Sequence, residues 1–375
     1  MVEYKKFLRK TFQLAEKGKG LVSPNPLVGA IIAKGNRIIS TGYHKAFGLP
    51  HAEIEALNDA KGKAKGATLY VNLEPCCHWG KTPPCTEAII KAGIKEVICC
   101  IIDPNPVVNG NGFKILEENG IKVRYGFLED EAEELNRFYI TNVKKKRPYI
   151  ILKWAQTIDG KIATRNYSSK WITGEKTREF LKRKRFEVDG ICVGVNTILI
   201  DNPSLDYIPP EFQTKKNLIE KKRYYKIILD PYGKTPVGAK IWENKNSIVL
   251  IVFDEKIEEE KIEKYKINDN FDYLKIPFEN MKFDLKKLLE KLLEKNIGII
   301  MVEGGKFTLT EFFENKIFDE IWAFIGNKIL GGENSISVFG GNDKENINVA
   351  VELEKIEVEK IENDILIKGR ICSQE

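Results

Sequence analysis

The sequence predicts an α/β protein of two domains. Short apolar runs alternate with helical patterns along the chain, as in folds where helices connect the strands of a sheet. Its 375 residues are enough for two or three domains at about 100–200 residues each. A Lys-Lys-Lys-Arg-Pro run at 144–148 interrupts the alternation, and proline disfavours helix at the preceding residue. We therefore expect one domain at 1–146 and another at 147–375.

The composition excludes several classes of protein. An apolar fraction of 42% is too high for a disordered chain, and no apolar run approaches the ~18 residues that span a bilayer. The net charge is only +6, and the basic excess is spread over Lys/Glu-rich helical stretches such as 255–266 and 285–295. We predict a globular protein that binds neither a membrane nor nucleic acid. The odd number of cysteines, seven, argues against a disulfide framework, so the cytoplasm is the expected compartment.

The first half begins with an amphipathic helix rather than a signal peptide, because apolar residues recur at helical spacing and no small-residue cleavage site follows. Apolar runs then predict four strands, at 27–33, 37–43, 67–73 and 96–102. Helical patterns follow at 51–60, 85–92 and 111–119. Gly110-x-Gly112 precedes the last of these helices, but Ile115 stands where a dinucleotide fingerprint needs a third glycine. We therefore reject a Rossmann site there.

The second half has more strands than helices. The predicted strands lie near 149–154, 189–195, 225–230, 247–252, 297–302, 318–325, 351–358 and 364–370. The predicted helices lie near 175–186, 282–295 and 306–315. No helix of comparable length separates the strands after residue 318, so we expect the sheet to end in antiparallel strands.

Three residues of the first half have the donor set of a catalytic zinc. His51 opens a helical pattern, and Cys76 and Cys85 each follow a proline. Catalytic zinc takes three protein ligands and keeps one position for water. Glu53, two residues after the histidine, is then placed to take a proton from that water and pass it to a departing amine. His-x-Glu with Pro-Cys-x-x-Cys is the signature of zinc nucleobase deaminases, here stretched to Cys-x8-Cys.

Other arrangements of these donors stay open. Cys77, next to a ligand, is a competitor for the metal, and His78 as a fourth ligand would close the site. The same residues can also form a structural zinc knuckle or remain buried thiols without metal. The remaining cysteines are predicted to be core residues: Cys99, Cys100, Cys192 and Cys372.

The segment 75–85 resembles the deaminase half of the bifunctional deaminase–reductases of riboflavin biosynthesis. Segments 23–30, 42–44 and 103–106 match the same family. The family commonly has serine where this chain has Cys77, and its spacing makes Cys76 and Cys85 the ligands. The resemblance implies a cytidine-deaminase-like three-layer domain that binds one Zn²⁺.

The resemblance also assigns substrate contacts in this half. Asn25, His44 and Asn105 correspond to positions that contact the pyrimidine and ribose. Lys81 and Thr82 lie between the two cysteines and would present an ammonium and a hydroxyl to a phosphate or ribose. Lys81 is otherwise a solvated loop lysine.

The second half resembles the reductase half of the same enzymes, at 152–163, 169–174, 194–197, 201–205 and 302–305. The resemblance implies a dihydrofolate-reductase-like domain that uses NADPH. The substrate contacts it implies are Lys153, Ser169, Arg185, Leu205 and Glu303. The dinucleotide contacts it implies are Ala155, Trp171, Thr197, Asp201, Gly304 and Gly305, the two glycines because backbone N–H groups between a strand and a helix can approach a phosphate.

Two positions depart from the family pattern. Ile208 and Lys226 stand where arginines are common. Lys215 or Lys216 is the expected substitute if a phosphate is bound there. Arg185 lies in a basic run, 182–185. The alternative to a substrate contact is that this run is the solvated end of a helix.

The family implies a cytoplasmic homo-oligomer, a dimer or a tetramer, that acts on a phosphorylated pyrimidine. The first domain would deaminate 2,5-diamino-6-(5-phosphoribosylamino)pyrimidin-4(3H)-one to 5-amino-6-(5-phosphoribosylamino)uracil. The second domain would reduce the ribosyl group to ribityl with NADPH. The alternatives are a zinc deaminase of another nucleobase, free or in a nucleic acid, with a degenerate reductase domain, and a zinc-stabilised scaffold without activity.

Overall fold

The computed structural model describes residues 2–80, 83–206, 218 and 222–371. These residues form two compact units that divide between residues 147 and 148, with residues 218 and 222 counted in the first unit. None of the described helices is long and apolar enough to span a bilayer.

The first unit has a five-stranded sheet between two layers of helices. Its strands are β1 (Gly29–Lys34), β2 (Arg37–Tyr43), β3 (Thr68–Leu73), β4 (Glu96–Ile101) and β5 (Lys122–Arg124). Its helices are α1 (Val2–Ala15), α2 (Ala52–Asp59), α3 (Cys85–Lys91), α4 (Asn111–Glu118), α5 (Glu129–Leu135) and α6 (Arg137–Lys145). The strand order is β2-β1-β3-β4-β5, with β1 antiparallel to its neighbours and β3, β4 and β5 parallel.

Alternation along the strands gives the sheet two apolar faces. Ala30 and Ile32 of β1 share a core with buried residues of α2, α3 and α4. On the opposite face, Phe7 of α1 contacts Tyr70 of β3, with ring centroids 4.8 Å apart. This is the predicted three-layer arrangement. Because β3 and β4 are parallel, their carboxyl ends lie side by side, and the segments after them meet at one edge.

The second unit is built on a nine-stranded sheet in the order β11-β10-β9-β8-β14-β6-β15-β18-β17. Two further sheets have two strands each, β12-β13 and β16-β7. The strands of the unit are β6 (Tyr149–Gln156), β7 (Lys161–Ala163), β8 (Gly190–Gly194), β9 (Tyr224–Leu229), β10 (Ser247–Asp254), β11 (Phe271–Ile276), β12 (Phe278–Glu279), β13 (Lys282–Phe283), β14 (Ile299–Glu303), β15 (Glu320–Ile325), β16 (Ile336–Ser337), β17 (Leu353–Ile361) and β18 (Asp364–Ile371). Its helices are α7 (Glu175–Arg185), α8 (Val195–Asp201), α9 (Glu259–Glu263), α10 (Leu285–Glu294) and α11 (Lys306–Glu314).

The strands from β11 to β15 run parallel, and β18 and β17 are added antiparallel. The predicted antiparallel end of the sheet is therefore confirmed. One face of the sheet packs on α10, in which Leu285, Leu288, Leu289 and Leu292 are buried in the same core as Ile227 and Leu250. Helical spacing of those leucines gives α10 its apolar stripe.

The predicted elements are present, with bounds that differ by up to three residues at most ends. The helix expected at 282–295 was predicted to begin too early. Lys282–Phe283 is a strand, and Asp284 caps the helix by accepting a hydrogen bond from the N–H of Lys287 at 3.0 Å. Among the predicted core cysteines, Cys99, Cys100 and Cys192 are buried, whereas Cys372 lies outside the described residues.

Candidate functional sites

The predicted zinc ligands converge at the edge of the first sheet. His51 immediately precedes α2, Cys76 follows β3, and Cys85 is the first residue of α3. Both sulfurs lie 3.4 Å from Nδ1 of His51, and all three ligand atoms lie within 4.8 Å of one another. Tetrahedral zinc with bonds of about 2.0–2.3 Å separates its ligand atoms by about 3.5–3.8 Å, so the donor set and its spacing fit this ion. Within the described ranges it is the one such group.

The environment of Cys76 favours the thiolate form of its sulfur. A hydrogen bond from the Cys85 thiol lowers the pKa of Cys76 to about 4, although burial opposes this effect. The backbone N–H of Cys85 also donates to the sulfur of Cys76 at 3.4 Å. Because the thiolate is the form that binds metals, Cys76 is a competent ligand at neutral pH.

Glu53 lies in the first turn of α2 with its side chain buried against the cluster. Burial raises the pKa of its carboxyl to about 7, while the nearby His51 lowers it. The Cys85 thiol beside the carboxyl also lowers this pKa, by less than burial raises it. A carboxyl in this environment can both accept and donate a proton near neutral pH.

Two of the predicted substrate residues contact each other beside the cluster. Nδ2 of Asn25 lies 3.1 Å from Nε2 of His44, and Nδ1 of His44 lies 3.0 Å from the carbonyl of Pro50. The His44 ring is 5.4 Å from the His51 ring. Burial lowers the pKa of His44 to about 4, so its ring is neutral. The Asn25 amide then donates to Nε2, and Nδ1–H donates to the carbonyl of Pro50.

A buried carboxylate that the sequence did not indicate shapes the loop after β4. Glu74 accepts hydrogen bonds from the backbone N–H groups of Asp103, Gly110 and Gly112 at 3.0, 2.9 and 2.9 Å. A Cβ atom at Gly112 would lie 2.3 Å from the carbonyl oxygen of Pro75. The backbone N–H groups of the Gly-x-Gly pattern at the start of α4 therefore bind the carboxylate of Glu74. This use of the glycines agrees with the rejection of a Rossmann site.

Asn105 is held in this loop by a second buried acid. Its N–H donates to Asp103 Oδ1 at 2.9 Å, and the hydroxyl of Tyr139 donates to the same oxygen at 2.8 Å. Burial raises the pKa of Asp103 to about 6. Asn105 is half-buried on the segment that follows β4.

The competing metal donors stay out of the cluster. The sulfur of Cys77 lies 3.8 Å from the carbonyl oxygen of Val107, and neither Cys77 nor His78 belongs to the group of ligand atoms around His51. Lys81 and Thr82, the predicted phosphate contacts, lie outside the described residues.

In the second unit, three predicted substrate residues form one charged cluster. Arg185 donates to both carboxylate oxygens of Glu303 at 2.7 and 2.8 Å, and Lys153 Nζ lies 3.2 Å from Glu303 Oε2. Burial raises the pKa of Glu303, but Arg185 and Lys153 outweigh it and lower the value to about 2. Burial lowers the pKa of Lys153. Arg185, with a bidentate buried partner, is not a solvated helix end.

Predicted substrate and cofactor residues also meet at the segment 201–206. Ser169 Oγ lies 3.4 Å from Asp201 Oδ1. The carbonyl of Leu205 accepts a hydrogen bond from the hydroxyl of Tyr224 at 3.0 Å. Burial raises the pKa of Tyr224. The charge of Arg185 lowers this pKa, and the charge of Glu303 raises it. Tyr224, not predicted from sequence, thus links this segment to the charged cluster.

The predicted cofactor residues lie at strand ends and helix starts. Ala155 is on β6, Thr197 is in α8, and Gly304 and Gly305 join β14 to α11. Helices α8 and α11 both begin after a glycine with no side-chain cap, which leaves backbone N–H groups available to phosphates.

Trp171 is 59% exposed, and the guanidinium of Arg178 lies 4.4 Å from its ring centre.

Lys226 has a structural partner. It is fully buried in β9, with Nζ 2.8 Å from both an Asp206 carboxylate oxygen and the carbonyl of Ile241. Lys226 is therefore not on a phosphate-binding surface, although it occupies the position of a family arginine. Ile208, Lys215 and Lys216 lie outside the described residues.

Comparisons with known proteins support both halves. Residues 1–101 match the family model "Cytidine and deoxycytidylate deaminase zinc-binding region", and residues 148–367 match "RibD C-terminal domain". The riboflavin biosynthesis protein RibD of Aquifex aeolicus is 42% identical over 97% of both chains. The chain belongs to the RibD family.

Solved RibD structures have the same fold. A RibD structure from Acinetobacter baumannii matches with a TM-score of 0.87 at 30% identity, covering 99% of both chains. A diaminohydroxyphosphoribosylaminopyrimidine deaminase/5-amino-6-(5-phosphoribosylamino)uracil reductase from Thermotoga maritima matches with a TM-score of 0.83 at 36% identity, again over 99% of both chains. The predicted family, fold class and enzyme class are confirmed: the chain is a bifunctional riboflavin biosynthesis enzyme with a deaminase and a reductase domain.

Proposed function

We propose that the domain at 1–146 converts 2,5-diamino-6-(5-phosphoribosylamino)pyrimidin-4(3H)-one to 5-amino-6-(5-phosphoribosylamino)uracil, and that the domain at 147–375 then reduces the ribosyl group to ribityl. The observation that carries the first step is the His51–Cys76–Cys85 cluster with buried Glu53 beside it. The name of the Thermotoga maritima relative describes the same two reactions.

In the deaminase domain, His51, Cys76 and Cys85 would hold one zinc ion per chain. Zinc, when bound, lowers the pKa of a water molecule and so supplies the nucleophile. Deamination forms a C–O bond at the pyrimidine C2 and breaks the bond to its 2-amino group. Glu53 takes the proton that the water loses and delivers it to the departing nitrogen, which leaves as ammonia.

The residues around the cluster would orient the substrate. Asn25 and neutral His44 present polar groups next to His51, where the pyrimidine must lie for its C2 to be attacked. Asn105 approaches from the loop fixed by Asp103. Lys81 and Thr82 would bind the ribose or its phosphate.

In the reductase domain, Lys153, Arg185 and Glu303 would contact the sugar phosphate, together with Ser169 and Leu205. The two cations share one carboxylate, so the cluster keeps one net positive charge for an anionic substrate.

The dinucleotide would lie against the N-termini of helices α8 and α11, each of which begins directly after a glycine. Its contacts would be Ala155, Trp171, Thr197, Asp201, Gly304 and Gly305. NADPH, when bound, supplies the hydride. We also propose a homo-oligomer located in the cytoplasm.

A substitution at Glu53 tests the deaminase. Glu53→Gln keeps the shape of the side chain but cannot take a proton, so we expect ammonia release to fall by about 10²–10⁴-fold with one zinc per chain retained. Metal content by elemental analysis and ammonia release from the diaminopyrimidine are the measurements. Glu118→Gln is the control, because Glu118 of α4 is exposed and lies 4.0 Å from Lys114 on the same helix, and it should keep normal activity.

Normal ammonia release by Glu53→Gln would remove Glu53 from the mechanism. If wild-type protein deaminates the pyrimidine but does not oxidise NADPH with the deaminated product, the alternative of a degenerate reductase domain is correct. If it releases ammonia only from another base, the proposed substrate is wrong.

A further inference from the structure

An aspartate that belongs to neither proposed site joins the turn after β6 to the loop after β15, residues 326–331. Asp159 lies in the turn, and its two carboxylate oxygens accept hydrogen bonds from the backbone N–H groups of Leu330 and Gly331 at 3.0 and 2.7 Å. Each oxygen accepts one of these bonds. An amide side chain, which has a single oxygen, could not accept both in the same way.

The carboxylate of Asp159 stays ionised although it is exposed to solvent. Hydrogen bonds from the Thr157 side chain and from the N–H groups of Leu330 and Gly331 hold its pKa well below the usual range. The N–H of Ile158 adds a further bond to the loop after β15. It donates to the carbonyl of Lys328 at 2.8 Å. The turn therefore holds that loop through a charged side chain and through the backbone.

The loop 326–331 contacts the segment that carries Trp171, one of the proposed dinucleotide contacts. Lys328 Nζ donates to the carbonyl of Trp171. On the next residue, the carbonyl oxygen of Ile172 would lie 2.2 Å from a Cβ atom at Gly326. Trp171 is 59% exposed, so burial alone does not fix its position. The contacts with the loop contribute to fixing it.

The same loop also adjoins Ala155, another proposed dinucleotide contact. Ala155 of β6 is paired with Phe324 of β15, directly before the loop begins. The N–H of Gly326 then donates to the carbonyl of Gln156 at 2.8 Å. The loop is thus bonded to both segments on which a dinucleotide is proposed to lie.

We propose that Asp159 is a positioning residue of the reductase, which fixes the loop 326–331 and through it the position of Trp171 for the dinucleotide. The inference rests on the proposed dinucleotide site and gives Asp159 no contact with either ligand. Loss of Asp159 should weaken the binding of NADPH and spare the binding of the sugar phosphate. The charged cluster proposed for the sugar phosphate keeps its own ion pairs.

Asp159→Asn tests the proposal because it keeps the size of the side chain and leaves one acceptor oxygen for two donors. The Kd for NADPH should rise about two- to tenfold, the factor that corresponds to one lost hydrogen bond. Quenching of tryptophan fluorescence by NADPH measures this Kd. In NADPH oxidation, the KM for NADPH should rise with it, while kcat and the KM for the deaminated pyrimidine stay within about twofold.

Asp272→Asn is the matched control. Asp272 is a partly exposed carboxylate on the edge strand β11, where it pairs with Lys295 at 2.7 Å. This variant should keep the wild-type Kd for NADPH.

Lys328→Met tests the route from Asp159 to Trp171. It removes the donor to the Trp171 carbonyl and should also raise the Kd for NADPH. In the double variant Asp159→Asn/Lys328→Met, the increase should be smaller than the product of the two single increases, because both changes act on one contact. Increases that multiply would show that Asp159 does not act through Lys328.

An unchanged Kd for NADPH in Asp159→Asn would overturn the proposal, and so would a rise in the KM for the pyrimidine alone. A lowered Tm with an unchanged Kd would give Asp159 a purely structural role. Wild-type protein that neither binds nor oxidises NADPH would instead refute the proposed reductase, and this inference with it. Far-ultraviolet circular dichroism and ammonia release verify that each variant is folded.

Discussion

Cys76 and Cys77 are adjacent in the chain but have different environments. The sulfur of Cys76 lies 3.4 Å from His51 Nδ1 and has a lowered pKa, whereas burial raises the pKa of Cys77 and its sulfur faces the carbonyl of Val107. Of these two neighbouring cysteines, Cys76 alone lies at the metal cluster and has the lowered pKa of a thiolate ligand. The proximity of a thiol in sequence is a poor guide here, because consecutive residues after a strand point in different directions.

These environments predict opposite results for two serine variants. Cys77→Ser should retain one zinc per chain, because its sulfur is not directed at the metal. Cys76→Ser should lower zinc affinity by more than about tenfold, since it removes a thiolate ligand. Elemental analysis after dialysis against a weak chelator measures both. Loss of zinc from Cys77→Ser would reassign the ligands.

At the scale of an element, the segment 201–206 is positioned by the strand β9. Tyr224 holds the carbonyl of Leu205, and Lys226 pairs with Asp206. Asn244 also donates to Asp206 at 3.0 Å. A segment fixed at consecutive residues can present substrate and cofactor contacts without rearrangement.

This anchoring predicts the effect of Tyr224→Phe on the reductase. The substitution removes one partly buried hydrogen bond, worth about 0.5–1.5 kcal/mol, so the KM for the deaminated pyrimidine should rise by up to about tenfold with a smaller change in kcat. NADPH oxidation gives both constants, and ammonia release by the same chain should be unchanged. Tyr273→Phe is the control, because Tyr273 lies on the sheet-edge strand β11 and is partly exposed. An unchanged KM would show that Tyr224 does not position the substrate segment.

Elements with a strong pattern were predictable from the sequence. The spacing of the leucines of α10 predicted where that helix lies in the chain, and the His-x-Glu and cysteine motifs predicted the set of ligand residues. Helix α5 was not predicted because it is mostly acidic and buries only Ala132, so it has no apolar stripe. Glu74 and Tyr224 were missed because their partners lie 38 and 19 residues away, at Gly112 and Leu205. Such contacts depend on the order of strands, which residue spacing alone does not give.

At the scale of the whole molecule, each unit has its own hydrophobic core. One core is formed by buried residues between Ala30 and Ile121, and the other by buried residues between Ile150 and Val338. The metal cluster belongs to the first unit, and the Lys153–Arg185–Glu303 cluster belongs to the second. The two proposed sites are therefore built from residues of different units.

Separate cores predict that metal removal affects one activity only. A chelator that strips zinc should reduce ammonia release by at least about 10²-fold, because the activated water is lost. NADPH oxidation with the deaminated pyrimidine should stay within about twofold, since the reductase core and its charged cluster contain no part of the metal site. Re-addition of zinc should restore deamination. Equal loss of both activities would indicate that the ion supports the fold of the entire chain, and deamination that persists in zinc-free protein would exclude the metal from the reaction.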